Sequence, residues 1–146
     1  MLILCHHRLT QRRASRGSAA IEFAILLPFL IMILVGIIDV NLIFYDSAIL
    51  TNAVRAGARA GTVVQVPPLT TSQIVSVTTA YAQNNLVGGG SATSPTVTVT
   101  QSNGTTPGGT LQVAASYTYQ GLLLGSVFSA LTGPVVLNAT AIMIYE

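Results

Sequence analysis

Hydrophobic positions divide this chain of 146 residues into one long apolar segment and a second half in which apolar and polar residues alternate. Good helix formers run from Ser18 to about Thr62, and the stretch from Phe23 to Ile38 is apolar on every side, as lipid requires of a helix. We therefore predict a single long helix that crosses a membrane over about residues 19–38. Pro28 lies inside this helix, removes one backbone donor and predicts a local kink.

A second, shorter helix is predicted after the pair Pro67-Pro68, because the residue before a proline avoids the α conformation and so ends the first helix. Thr71 or Ser72 can cap the second helix, which continues to about Asn85. Helical spacing places Ile74, Val77 and Tyr81, followed by Asn84 or Asn85, on one side of this helix.

The last third of the chain alternates in the manner of β-strands. The predicted strands are Thr96–Thr100, Leu111–Tyr119 and Val135–Tyr145, and the dipeptide Asn103-Gly104 predicts a turn between the first two. The third strand is apolar on both faces in its later half, which predicts that both faces are covered. The predicted fold class is therefore α+β: a long N-terminal transmembrane helix, then a small antiparallel sheet domain of three to four strands with one short helix.

Charged side chains are few and unevenly placed. They make up 7% of the chain, and four of the six arginines precede residue 17. A basic segment beside a membrane span predicts that the N-terminus stays in the cytoplasm and that the remainder lies outside. We thus predict a cytoplasmic leader at 1–17, a long helix at 18–62 and an extracytoplasmic domain at 63–146. The expected location is the inner (cytoplasmic) membrane, with a single span.

The sequence offers little material for catalysis or ligand binding. From Gly61 to Tyr145 it contains no Asp, Glu, Lys, Arg or His, the groups on which acid–base catalysis and metal binding depend. Cys5 is the only cysteine, so an intramolecular disulfide is excluded. We expect no enzyme activity, no cofactor, no metal and no small-molecule substrate. The basic cluster next to a membrane span, without interleaved aromatic residues, also argues against nucleic acid as a partner.

Two features of the long helix are candidates for function. Glu22 is a carboxylate at the head of the apolar stretch, where an unpaired charge opposes insertion into lipid. Ala53, Gly57 and Gly61 recur at every fourth position and form a smooth strip that another backbone can approach closely. This strip predicts a helix-packing face, with low-complexity filler as the alternative.

One apolar segment of the predicted domain is a candidate docking patch for a partner protein. The alternative is that the same side chains pack inside the domain. The residues of this patch are Leu122, Leu123, Leu124, Val127, Phe128 and Leu131.

Two blocks of the sequence resemble one protein family. Residues 16–28, which read R-G-S-A-A-I-E-F-A-I-L-L-P, are similar to the start of the TadE-like proteins of the tight-adherence (Tad, or Flp-type) pilus system. Residues 50–61, L-T-N-A-V-R-A-G-A-R-A-G, resemble the second part of that family's signature, and residues 137–146 resemble its last strand more weakly. The main filament subunits of this system are shorter and almost wholly helical, so the resemblance implies a pseudopilin or minor pilin.

The resemblance also implies roles for individual residues. Prepilin-type leaders are cut after a glycine that is followed by a glutamate at the fifth position of the mature chain, and Gly17 and Glu22 have this spacing. A membrane prepilin peptidase would then cut between Gly17 and Ser18. Glu22 would be able to pair with the new Ser18 amine of a neighbouring subunit, since a buried charge needs a partner. The alternative for Glu22 is a position among the lipid headgroups.

The predicted function is therefore that of a processed TadE-like pseudopilin, which takes part in the assembly of adhesive Tad pili by helix-mediated packing of subunits. Its implied partners are the membrane, the prepilin peptidase, other pilins or pseudopilins and the Tad assembly platform. Loss of the leader would leave two arginines against four carboxylates, a side-chain charge of −2. The alternative function is an uncleaved, single-span membrane anchor that carries an extracytoplasmic binding module.

Overall fold

The computed structural model describes residues 7–63, 67–87, 94–120 and 133–146, with side chains from residue 18 onward. The elements are α1 (His7–Thr62), α2 (Thr71–Asn85), β1 (Thr96–Ser102), β2 (Thr110–Tyr119) and β3 (Val135–Ile144). These elements confirm the predicted α+β fold class. The chain divides into two compact units, Met1–Ile37 and Ile38–Glu146, and we describe each by itself.

The first unit contains the N-terminal part of α1. This helix begins at His7, eleven residues before the predicted start at Ser18. The basic leader is therefore helical from His7 to Gly17, because arginine, glutamine, leucine and alanine all have high helix propensity. Pro28 lies inside α1, which continues on both sides of it.

The large apolar side chains of this first unit are exposed, whereas a helix of a water-soluble protein buries its large apolar side chains. In the described part of the chain, one helix is long and apolar enough to cross a membrane. The exposed residues lie on every side of the helix, so their distribution has no preferred face. They are Ile21, Phe23, Ile25, Leu26, Leu27, Phe29, Leu30, Ile31, Met32, Ile33, Leu34 and Ile37.

In the second unit, α2 begins with a capping box. Thr70 is the N-cap, its side chain accepts a hydrogen bond from the Gln73 backbone N–H, and the Gln73 side chain accepts one from the Thr70 backbone N–H. The reciprocal pair satisfies two donors that the first turn of a helix otherwise leaves open. The predicted cap at Thr71 or Ser72 was thus late by one or two residues, because both lie in the first turn.

The buried face of α2 shares only Ile74 with the side that the helical spacing predicts. Ile74, Thr78 and Ala82 are buried, whereas Val77 and Tyr81 are 41% and 39% exposed. The buried residues recur at every fourth position, and two of them are small. The helix therefore presents a narrow, smooth side to its neighbour, and the larger side chains lie at its margin.

The sheet is antiparallel, with β2 in the centre and the order β1-β2-β3. Val113 of β2 lies opposite Val99 of β1 and Ala141 of β3, so odd-numbered residues of all three strands share one face. This face is the buried one: β2 alone contributes Leu111, Val113, Ala115, Tyr117 and Tyr119. It packs in one cluster with Leu50, Val54, Ala58, Ile74 and Tyr145.

The turn after β1 begins with the predicted pair Asn103-Gly104. Both residues have positive φ, 64° and 68°, a conformation that asparagine and glycine adopt more easily than other residues. The connection that begins with this pair joins strands in which Ser102 lies opposite Thr110.

The outer face of β3 differs from the prediction. Ile142 and Ile144 are 63% and 61% exposed, and Val136 is 48% exposed, so the apolar later half of this strand is covered on its inner face only. Its inner residues Leu137, Ala139, Ala141 and Met143 are partly buried against the core. Apolar residues on both faces of a strand therefore did not indicate two covered faces here.

Candidate processing and assembly site

The candidate processing site lies in the first unit, on α1. Ser18 and Glu22 are one helical turn apart, and the Ser18 hydroxyl donates a hydrogen bond to Glu22 Oε1 at 3.1 Å. Both side chains are exposed. Positions i and i+4 lie on the same side of a helix. The Glu22 carboxylate therefore lies next to Ser18, the first residue after the predicted cleavage point.

The bond between Gly17 and Ser18 lies within the helix. Glycine has the lowest helix propensity of any residue except proline, so this is the point of the leader at which α1 unwinds most easily. A peptidase that requires an extended substrate would gain access there at the smallest loss of helix stability.

The strip of small residues on α1 lies in the second unit and is buried there. Ala53, Gly57 and Gly61 contact other elements of the same chain. A Cβ atom on Gly57 would overlap the Thr78 hydroxyl of α2, and one on Gly61 would lie 2.5 Å from Leu111 Cδ2 of β2 and 2.6 Å from Ile74 Cδ1.

This burial changes the interpretation of the strip. The glycines let α2 and the sheet approach the backbone of α1, so the close packing occurs within one chain. A helix of another subunit has no access to the same surface while α2 is in place. The predicted helix-packing face thus packs against α2 and the sheet of the same chain.

A group of buried polar side chains was not singled out from the sequence. Asp46 of α1 is fully buried, and its Oδ1 accepts a hydrogen bond from the Val87 backbone N–H at 2.9 Å. In the described part of the chain, neither Asp46 Oδ2 nor the Tyr119 hydroxyl has a hydrogen-bond partner, although both are buried. Asp39 lies two turns earlier on α1 and is 5% exposed.

Electrostatics link these groups. Burial raises the pKa of the Asp46 carboxyl, and the Val87 N–H only partly opposes this effect. Burial also raises the pKa of Tyr119 to about 12, with further contributions from the charges of Asp39 and Asp46. The pKa of Tyr117 is raised by burial and by the charge of Asp46. Burial thus disfavours the negatively charged form of Asp46, Tyr117 and Tyr119.

A signal for this cluster was present in the sequence. Asp46 precedes Leu50, Ala53 and Gly57 at helical intervals of four, three and four residues, so it falls on the face that the small-residue strip marks as buried. Periodicity alone would have placed it correctly.

The remaining predicted sites are less informative. The docking patch formed by Leu122, Leu123, Leu124, Val127, Phe128 and Leu131 lies outside the described residues. Arg55 and Arg59 are exposed on α1, away from the buried strip. Within the described ranges no group of three or more His, Cys, Asp or Glu side chains is placed to hold a metal ion.

The geometry defines a class of protein: a helix suited to anchoring in a membrane, continued by a small α+β unit whose core is built on the later part of the same helix. The family model described as TadE-like protein matches residues 17–59. The match confirms the resemblance over this segment and begins at Gly17. No curated protein and no solved structure matches the chain.

The matched segment contains two kinds of surface. Its first half, to Ile37, carries the exposed apolar residues of the first unit. Its second half includes Leu50, Ala53, Val54 and Ala58, all fully buried in the second unit. The first half of the matched segment therefore has a surface suited to lipid, and the second half contributes one side of the folded core.

Proposed function

We propose that this protein is a pseudopilin or minor pilin of a Tad-type pilus, made as a single-span membrane precursor and cut between Gly17 and Ser18. The observation that carries the proposal is the TadE-like match, which begins at Gly17 and includes Glu22 five residues later. The long exposed apolar surface of α1 supports it, because a subunit drawn out of lipid needs other helices to cover that surface.

In this proposal Glu22 acts twice. In the precursor it lies one turn from Ser18 and marks the cleavage register. After cleavage it receives the Ser18 amine of a neighbouring subunit, which offsets the unfavourable free energy of a carboxylate in an apolar environment. Packing between subunits then uses the apolar surface of residues 18–38 and not the buried glycine strip.

The decisive experiment is N-terminal sequencing of the membrane-extracted protein from cells with and without an active prepilin peptidase. We expect a mature chain that starts at Ser18 only when the peptidase is active. Gly17→Leu should leave the precursor intact, because a bulky side chain replaces the glycine at the cut. An intact Met1 in cells with active peptidase would instead favour the uncleaved, membrane-anchored binding module.

The pairing role of Glu22 has its own test. Glu22→Gln should be cleaved normally but should reduce pilus assembly at least tenfold, measured by counting pili or by sheared-pilin yield. Ser18→Ala is the matched control, since it removes the hydroxyl that contacts Glu22 but keeps both the carboxylate and the new amine. Normal piliation with Glu22→Gln, or equal defects in both variants, would contradict the amine pairing.

A further inference from the structure

A cleft lies between the end of α1 and the edge of β3, within the second unit. Thr62 Oγ1 of α1 is 3.9 Å from Met143 Sδ of β3, so the helix and the strand meet here. The cleft has a volume of about 740 Å³, within the range of roughly 300–1,000 Å³ that is typical of ligand-binding clefts. Alongside Thr62 and Met143, its lining residues are Arg59, Val63, Ile142, Ile144 and Glu146.

One wall of this cleft presents backbone groups that point away from the sheet. The Tyr145 N–H donates to the Gly109 carbonyl at 2.9 Å, so the backbone of Tyr145 faces β2. Because the backbone groups of successive residues in a strand alternate in direction, those of Ile142 and Ile144 face outward, into the cleft. Among the described residues, no strand pairs with this edge. An extended peptide can therefore form hydrogen bonds with it.

The edge of β3 also lacks the features by which sheets discourage further pairing. This strand contains no charged side chain and no proline, and its register with β2 is unbroken. Exposed strands of this kind are templates for another strand. The opposite edge, β1, differs because α2 packs beside it.

The side chains of the cleft indicate the chemistry of its partner. Arg59 is exposed, and its guanidinium group suits a bidentate contact with a carboxylate. Ile142 and Ile144 are 63% and 61% exposed, so they suit apolar side chains of a neighbouring strand. Peptides that add to a sheet edge gain affinity from the backbone and specificity from alternate side chains. The matching peptide is therefore extended and apolar, with one acidic residue.

This chain does not itself contain such a segment. No residue from Gly61 to Tyr145 is acidic, so no strand of a second copy carries the required carboxylate there. Glu22, Asp39 and Asp46 belong to the helix α1. Glu146 follows directly on Tyr145, which is bonded into its own sheet. The charge complementarity thus favours a different protein.

Lipid is also an unsuitable occupant, because the cleft lies far along α1. From Asp39, at the predicted outer end of the span, the helix continues for roughly 35 Å to Thr62. A bilayer that ends near Asp39 does not reach the cleft.

We infer that this cleft binds an extended segment of a partner protein, which adds to the edge of β3 as a fourth strand and places an acidic side chain against Arg59. The inference goes beyond the proposed function, because it assigns a binding surface and the chemistry of a partner to the second unit. It does not depend on cleavage at Gly17, so a failure of either proposal leaves the other in place.

Binding of short peptides to the full chain in detergent tests this inference. The probes are peptides Thr-X-Asp-X-Val-Thr with blocked ends and an uncharged fluorophore, in which X is Val, Ile, Leu or Phe. Alternation places Asp on the side of α1 and both X residues beside Ile142 and Ile144. We expect at least one peptide to give saturable binding, measured by fluorescence anisotropy, below about 1 mM. The absence of binding by every peptide at that concentration overturns the inference.

The contact with Arg59 has its own variants. Asn in place of Asp in the peptide, or Arg59→Gln in the chain, should weaken binding about fivefold, because each change removes the same ion pair. In the Arg59→Gln chain the Asp and Asn peptides should bind equally, which shows that the two groups interact directly. Arg55→Gln, one turn earlier on α1, is the matched control and should leave the affinity unchanged. Equal effects of Arg55→Gln and Arg59→Gln contradict the inference.

A proline on the edge tests the added strand. Ile142→Pro removes the outward N–H but leaves the hydrogen bonds to β2 in place, since a free edge tolerates proline. It should weaken binding at least tenfold, whereas Ile142→Thr keeps the N–H and should weaken it much less. Unchanged tyrosine fluorescence verifies the fold of both variants. Full binding to the folded Ile142→Pro chain, or an equal loss with both variants, contradicts the inference.

Photocrosslinking in cells distinguishes the possible occupants. Benzoylphenylalanine takes the place of Ile144 in two copies of the chain that carry different epitope tags. We expect a crosslinked product that carries one tag and that is lost when Arg59→Gln is added. A product that carries both tags would show a second copy in the cleft and overturn the inference.

Discussion

At the scale of single residues, the buried carboxylate of Asp46 is the most informative group in the second unit. One oxygen accepts a hydrogen bond from the Val87 N–H, and the other has no partner among the described residues. A buried ionised group without full compensation lowers stability, although it holds the chain near Val87 against α1. Asp46 thus holds the chain at Val87 in position, but its burial lowers the free energy of unfolding.

The raised pKa of Asp46 predicts how stability depends on pH. The folded protein binds the Asp46 proton more tightly than the unfolded chain, in which the pKa is near 3.8. The contribution of this group to stability is therefore greatest below about pH 4 and is lost as the pH rises through the folded-state pKa. Asp46→Asn keeps an acceptor for the Val87 N–H, so it should raise the melting temperature at pH 7 but have less effect at pH 4.

Thermal unfolding of the detergent-solubilised chain, followed by tyrosine fluorescence, measures this effect. Asp46→Ala is the comparison, because it removes the acceptor and should be less stable than Asp46→Asn by roughly 1–3 kcal/mol. Glu146→Gln, at an exposed position, controls for the change in net charge. A melting temperature of Asp46→Asn below that of the wild type at pH 7 would contradict the prediction.

At the scale of elements, the later part of α1 is a platform for α2 and the sheet. Gly57 lies against Thr78, whose hydroxyl donates to the Ile74 carbonyl at 2.8 Å within α2. The absence of a side chain at Gly57 therefore determines how closely the two helices approach. The separation of the helices in turn places Ile74 near Gly61 and Leu111.

Gly57→Ala should destabilise the second unit by roughly 1–3 kcal/mol, because the new methyl overlaps the Thr78 hydroxyl. Adding Thr78→Ala removes this hydroxyl and should recover part of the loss, a coupling that a double-mutant cycle measures. Gly36→Ala is the control, since a Cβ there meets no atom within 4 Å. Equal stability of Gly57→Ala and wild type would contradict the close packing.

At the scale of the whole molecule, the distribution of charge predicts the orientation in the membrane. Four of six arginines precede residue 17, and only one helix of the described residues is suited to a span. We expect the N-terminus in the cytoplasm and the sheet outside.

Cysteine labelling checks this orientation, because the chain has a single natural cysteine. In spheroplasts of peptidase-deficient cells, a membrane-impermeant maleimide should label Thr98→Cys in the Cys5→Ser background. It should label Cys5 in the natural chain only after the membrane is permeabilised. Labelling of Cys5 in intact spheroplasts would reverse the predicted topology.

Local sequence patterns determined the elements of this protein. The continuous apolar run indicated the span, the second helix ended at Asn85 as expected, and alternation located all three strands to within two residues at each end. The spacing of Gly17 and Glu22 also followed from the sequence alone. These features depend on backbone hydrogen bonding and side-chain direction over a few residues, which neighbouring positions specify.

Only the tertiary structure decided which faces are covered. It buried Thr78 and Ala82 in place of Val77 and Tyr81, enclosed the glycine strip within the chain, placed Asp46 in the core and left Ile142 and Ile144 exposed. Each of these outcomes depends on contacts between residues far apart in sequence. Composition shows that a face is smooth or apolar, but the element that covers it is chosen by packing across the whole fold.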